Sequence, residues 1–82
     1  MKLGIEKYTA QLLSPTPPFE CGLKVGDVIE WENYYGAVWT HRIIGFSDPC
    51  SVGFFHMDTD AYWFPHPLSD VRKINGIPVE SR

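Results

Sequence analysis

The sequence predicts a mainly β, in effect all-β, domain. It is expected to be a small barrel of about five short antiparallel strands behind an extended, proline-rich N-terminal segment. Three observations lead there. Several short segments alternate apolar and polar residues with a period of two, and Gly, Asn, Asp and Pro punctuate them. Twelve Phe, Tyr and Trp rings in 82 residues supply large apolar area for a small core. A chain of this length encloses one core, not two, and is too short for a sandwich of two full sheets.

The whole chain, 1–82, is therefore read as a single domain: an N-terminal strand and proline-rich connector over 1–19, and a barrel core over 20–76. Residues 7–13 alternate, with Tyr8, Ala10 and Leu12 on one side and Lys7, Thr9 and Gln11 on the other. A strand is expected, although Ile5, Tyr8 and Leu12 also fit a helical period. Ser14-Pro15-Thr16-Pro17-Pro18 fits neither a helix nor a central strand, because proline lacks the N–H and fixes φ. It is read as an extended connector across the barrel surface.

The stretch from 23 to 46 organises the rest and holds two of the three tryptophans. Gly26-Asp27 signals a turn, and residues 28–32 follow as a half-buried strand with Ile29 and Trp31 on one face and Val28, Glu30 and Glu32 on the other. Asn33-Tyr34-Tyr35-Gly36 makes the next turn. Residues 38–46 form the longest strand. Trp39, His41 and Ile43 share one face; Val38, Thr40, Arg42, Ile44 and Phe46 share the other. Apolar residues on both faces predict a bend, and Gly45 is the expected kink. Ser47-Asp48-Pro49-Cys50 reads as a turn, and residues 52–58 as a strand. Residues 71–74 form a short last strand, Asn75-Gly76 a tight turn, and 77–79 a brief edge pairing.

The order of these pieces resembles the SH3-like small barrels, through Val25-Gly26-Asp27-Val28-Ile29 and the long bent strand that follows. Three further pieces resemble a family of short proteins carried on plasmids and prophages of proteobacteria. They are Glu32-Asn33-Tyr34-Tyr35-Gly36, Ile43-Ile44-Gly45-Phe46 and Thr59-Asp60-Ala61-Tyr62-Trp63-Phe64-Pro65. The resemblance spans about 23–74. It implies the fold and a mobile-element origin, and it transfers no catalytic residue. Thr40-His41-Arg42-Ile43-Ile44-Gly45 also looks like part of the β-rich half of type I signal peptidases. The serine and base that precede that strand in those enzymes have no counterpart here.

Seven basic and ten acidic residues give a net charge of −3, which argues against a binder of phosphate backbones. No apolar run approaches the ~20 residues of a membrane helix. The charged stretch Met1-Lys2-Leu3-Gly4-Ile5-Glu6-Lys7 does not read as a secretory signal. The two cysteines, Cys21 and Cys50, make no disulfide framework, so a cytoplasmic protein with free thiols is expected.

His41, His56, His66, Cys21, Cys50, Asp58 and Asp60 are the possible ligands and general bases, yet none has zinc-type spacing. No catalytic residue, metal or cofactor is assigned. Twelve rings exceed what so small a barrel encloses, and surplus rings form binding patches. Trp63 and Phe64 could instead plug the open end of the barrel. The expected function is non-enzymatic: binding of a protein partner through Tyr34, Tyr35, Tyr62 and Trp63. The alternatives are a nucleic-acid accessory protein, with Tyr34, Tyr35 and Trp63 as stacking platforms, and a small Cys- or His-dependent enzyme. No membrane association is expected, and the chain is read as a monomer or a weak homodimer through open edge strands.

Overall fold

A computed structural model describes residues 2–79. Five strands form one antiparallel sheet: β1 (Val28–Glu32), β2 (Val38–Cys50), β3 (Gly53–Met57), β4 (Val71–Ile74) and β5 (Ile77–Pro78). Their order across the sheet is β3-β2-β1-β4-β5, and the sheet is open, since β3 and β5 do not pair. A 3-10 turn, Leu68–Asp70, leads into β4.

The N-terminal strand expected over 7–13 is instead part of an α-helix, α1 (Lys2–Leu12). Gly4, Ile5, Tyr8 and Thr9 are half-buried, whereas Glu6, Lys7, Ala10, Gln11 and Leu12 are exposed. That is a 3.6-residue period, and the alternation read along the chain was incidental to it. With no acidic residue in its first turn and no basic residue in its last, the helix depends on packing more than on its own ends. It stops where Pro15 forces Ser14 out of the helical region. Ser14 then pairs with Phe46 across two backbone hydrogen bonds of 2.7 and 2.8 Å. Leu13 sits directly on Gly45, so close that a Cβ there would lie 2.7 Å from the leucine Cβ. The connector 15–18 contains neither helix nor strand.

β2 is longer than the sequence predicts. The expected turn at 47–50 is strand, and the reversal falls on Ser51 and Val52, closed by the pairing of Cys50 with Gly53. The register against β3 slips between Ile43 and Gly45 and again between Phe46 and Cys50. These irregularities are the predicted bend, and they reverse the facing of the strand. Phe46, which simple alternation places on the face opposite Ile43, is fully buried, as Ile43 is.

The core is Leu23, Ile29, Ile43, Phe46, Phe54, Phe55, Met57 and Val71. Every residue of β3 is buried, so both its faces are covered. Phe19 from the connector packs on Phe54 at 4.8 Å, and Tyr8 of α1 lies 6.1 Å from His56. The outer edge of β3 is occupied as well: Phe54 and Phe55 donate to the His66 carbonyl, and His66 donates back to Phe55. At the opposite rim, β5 ends in Pro78.

Asp27 fastens the start of β1. Its buried carboxylate accepts from the Lys24 backbone N–H at 3.0 Å, from Lys24 Nζ at 2.9 Å and from Asn75 Nδ2 at 3.1 Å. Asn75 Oδ1 in turn accepts from the Val28 N–H. Burial alone would raise the Asp27 pKa, but these donors outweigh it and hold the carboxyl below its ordinary value. The Gly26-Asp27 signal thus ties the first strand to the turn between β4 and β5, 48 residues away.

Candidate functional site: an aromatic groove

The open sheet leaves a groove of about 560 Å³ on one side, lined mostly by apolar atoms. β1 and β2 supply Trp31 and Trp39, which face one another directly in the ladder. The turn between these strands adds Tyr34. Val52, from the reversal after β2, and Phe64 with Pro65, from the 59–67 loop, complete the walls. The β1–β2 turn is held by Asn33, whose Oδ1 accepts from the N–H groups of Tyr35 and Ala37 at 2.9 Å each. This is the side-chain turn that Asn favours.

Two of the rings are held in orientation. Trp31 Nε1–H donates to His41 Nδ1 at 3.1 Å, and the Trp31 ring lies 4.7 Å from His66. His66 in turn packs near Phe55 at 5.8 Å and Phe64 at 5.7 Å. Trp39, 50% exposed, packs against no other ring among the described residues, so its face is open to the groove. Among the described residues that line the groove, only Asp70 carries a full charge at neutral pH.

The residues expected to bind a partner divide. Tyr34, 95% exposed, lines the groove. Tyr35 is 89% exposed and stacks edge-on against Tyr34, but lies outside it. Tyr62 is half-buried: its ring meets Tyr8 of α1 at 5.3 Å, and its carbonyl accepts from His56 Nδ1 at 3.0 Å. Trp63 is 56% exposed and sits edge-on to Tyr62, again outside the groove. Neither Trp63 nor the half-exposed Phe64 plugs the core. Trp31, Trp39 and Phe64 are not among the expected binding residues: alternation puts Trp31 on the same face as the core residue Ile29, leaves the exposure of the Trp39 face open, and the loop reading gives Phe64 to the barrel's open end. The signal that could have found them is the Trp31 and Trp39 pairing itself, two large rings on the face of a sheet too open to cover both.

The histidines and thiols do not form a reactive cluster. His56 is buried, donates through Nδ1 to Tyr62, and so accepts through Nε2 from the Ser47 hydroxyl at 2.8 Å. Both ring nitrogens are satisfied, which is what a histidine in a packed strand requires. Cys50 is exposed and its thiol donates to the Gly53 carbonyl; Cys21 is half-buried. Among the described residues neither sulfur hydrogen-bonds to a histidine, and no three His, Cys, Asp or Glu side chains converge as metal ligands. Glu30 and Glu32 occupy the outward face, paired with Lys73 at 3.7 Å and Arg72 at 3.0 Å.

His66 gives the site a pH dependence. Burial among the rings, reinforced by repulsion from His56 and His41, pushes its pKa from 6.5 down to about 4. The unfolded chain therefore binds more protons than the folded one between these values. Stability contributed by neutral His66 is complete above pH 6.5 and is lost as the pH falls towards 4. The full shift would be worth ~3 kcal/mol, and partial solvent access reduces it to about 1–2 kcal/mol. Burial lowers the His56 pKa too, partly offset by the Tyr62 carbonyl, and its effect has the same sign. Urea midpoints at pH 7.5 and pH 4.5 should show this loss, and His66→Phe should shrink it. An unchanged difference in that variant would assign the acid sensitivity elsewhere.

Fold and groove together define a class: a small, mainly β module with an open antiparallel sheet and one aromatic groove. Comparison with protein-family models, curated proteins and solved structures yields no match. No helix among the described residues is long and apolar enough to cross a membrane.

Proposed function

We propose that this chain is a non-enzymatic interaction module of a mobile genetic element, acting in the cytoplasm and binding a protein partner in the aromatic groove. The observation that carries the reading is the exposure of Trp39, Tyr34 and Phe64 around one apolar concavity. A contiguous apolar surface of this kind is costly to leave in water and typical of an interface centre, where Trp and Tyr dominate the binding energy. The cytoplasmic assignment is supported by the two unpaired thiols. The mobile-element origin rests on the resemblance of the three sequence pieces quoted above. The sheet is read as an SH3-like barrel left open at one seam. Its support is the single core shared by β1 to β4 and the 3-10 turn that delivers β4 to β1. A nucleic-acid ligand would need cations beside the stacking rings, and among the described residues no Lys or Arg lines the groove.

The test is selection from a displayed peptide library on the parent protein, followed by binding to Trp39→Ala. Half of the Trp39 surface is already exposed, so the variant should stay folded. Selected peptides should lose about 2 kcal/mol, roughly 30-fold in Kd. Peptides that bind the variant as well as the parent, or a library that returns no binder, would remove the groove from the account.

A further inference from the structure

The charge inside the groove narrows what its occupant must carry. Asp70, at the end of the 3-10 turn, lines the groove and is only partly exposed. Among the described residues its carboxylate forms no ion pair and no side-chain hydrogen bond, although its backbone N–H is satisfied by the Pro67 carbonyl at 3.1 Å. Burial raises its pKa, and Arg72 offsets this only in part. Arg72 is itself committed elsewhere: Nε to Glu32 at 3.0 Å and NH1 to the Ser69 carbonyl at 2.8 Å. A partly desolvated carboxylate with no committed cation gains from one that enters the groove. The surrounding rings favour the same guest, since a cation over the face of Trp or Tyr is attracted by the ring quadrupole. His66 stays neutral at physiological pH and adds no repulsion.

We infer that the groove receives an arginine side chain of the partner, its guanidinium stacked against the Trp31 and Trp39 walls with Asp70 as its counter-charge. This rests on the interaction-module reading above and specifies the ligand chemistry of that same site. Arginine fits better than lysine: its planar, weakly hydrated head stacks on rings and pairs with a carboxylate through two parallel hydrogen bonds. The net charge of −3 on the chain draws a basic segment in the same direction.

The measurement is ¹H–¹⁵N NMR of the three indole N–H groups. The probes are N-acetyl-arginine methylamide and its neutral isostere, N-acetyl-citrulline methylamide. Arginine should move the Trp31 and Trp39 signals, leave Trp63 as an internal reference, and bind about fivefold or more tightly than citrulline. In Asp70→Asn, with an otherwise unchanged spectrum, the arginine response should fall to the citrulline level. Equal responses to both probes would overturn the arginine assignment and leave the groove standing. Silence of both groove indoles would overturn the assignment too, while the peptide selection judges the groove independently. An arginine response untouched by Asp70→Asn would remove Asp70 as the counter-charge and with it the inference.

Discussion

Gly53→Ala will cost about 3 kcal/mol or more, enough to unfold much of a domain this small. Gly53 has φ +145°, a region L-residues rarely adopt. A Cβ there would overlap the backbone of His66 and Pro67, which are not flexible side-chain ends that can swing aside. Relief would require parting residue 66 from β3, and with it the hydrogen bonds that Phe54, Phe55 and His66 exchange. Because His66 and Phe64 are groove walls, the lesion should also blunt ligand binding in whatever fraction stays folded. Gly22→Ala is the control: its φ is +81° but no atom lies within 4 Å of the added carbon, so about 1 kcal/mol is expected. Denaturant midpoints decide the matter. Equal losses for the two variants would mean that the 66–67 backbone does not press on β3.

The second large effect is at Asp27. Truncation to alanine removes the buried carboxylate that the Lys24 N–H and the Asn75 amide share, two charge-assisted hydrogen bonds together worth about 2 kcal/mol. Asp27→Asn keeps the shape but loses the charge that Lys24 Nζ meets at 2.9 Å, and should fall between the two. Asn75→Ala removes the same bridge from the other end, so a double-mutant cycle should show coupling of at least about 0.5 kcal/mol. Additive losses would mean that the link between the start of β1 and the β4–β5 turn carries no stability. The folded-state pKa of Asp27 is lowered, so its contribution is present above the ordinary carboxylate value of 3.8 and fades as acid drives the pH below it.

Four strands, the brief edge pairing that appears as β5, and the turns at Asn33 and Asn75 were legible in the sequence because short apolar segments there adjoin residues suited to a reversal. The remainder was not, for separate physical reasons. Residues 7–13 satisfy a two-residue repeat, while Ile5, Tyr8 and Leu12 satisfy a 3.6-residue one. The choice was made by what the chain packs against, namely Gly45 and the Tyr62 ring, which no local pattern reveals. The 47–50 segment carries turn-type residues yet stays in strand, because β3 supplies a partner up to Gly53. Surplus aromatics did point to an exposed patch, but not to its membership. Tyr62 is claimed by α1, an element not expected, and Trp39 is released by a sheet that does not close.

The two rims of the sheet bear on solubility. A growing fibril or a swapped pair recruits chains through runs of unsatisfied backbone donors and acceptors. Residue 66 has already filled that role along β3, while β5 lasts only two residues and closes on an imino acid with no hydrogen to give. Among the described residues neither rim therefore offers a long open ladder on which templated stacking could start.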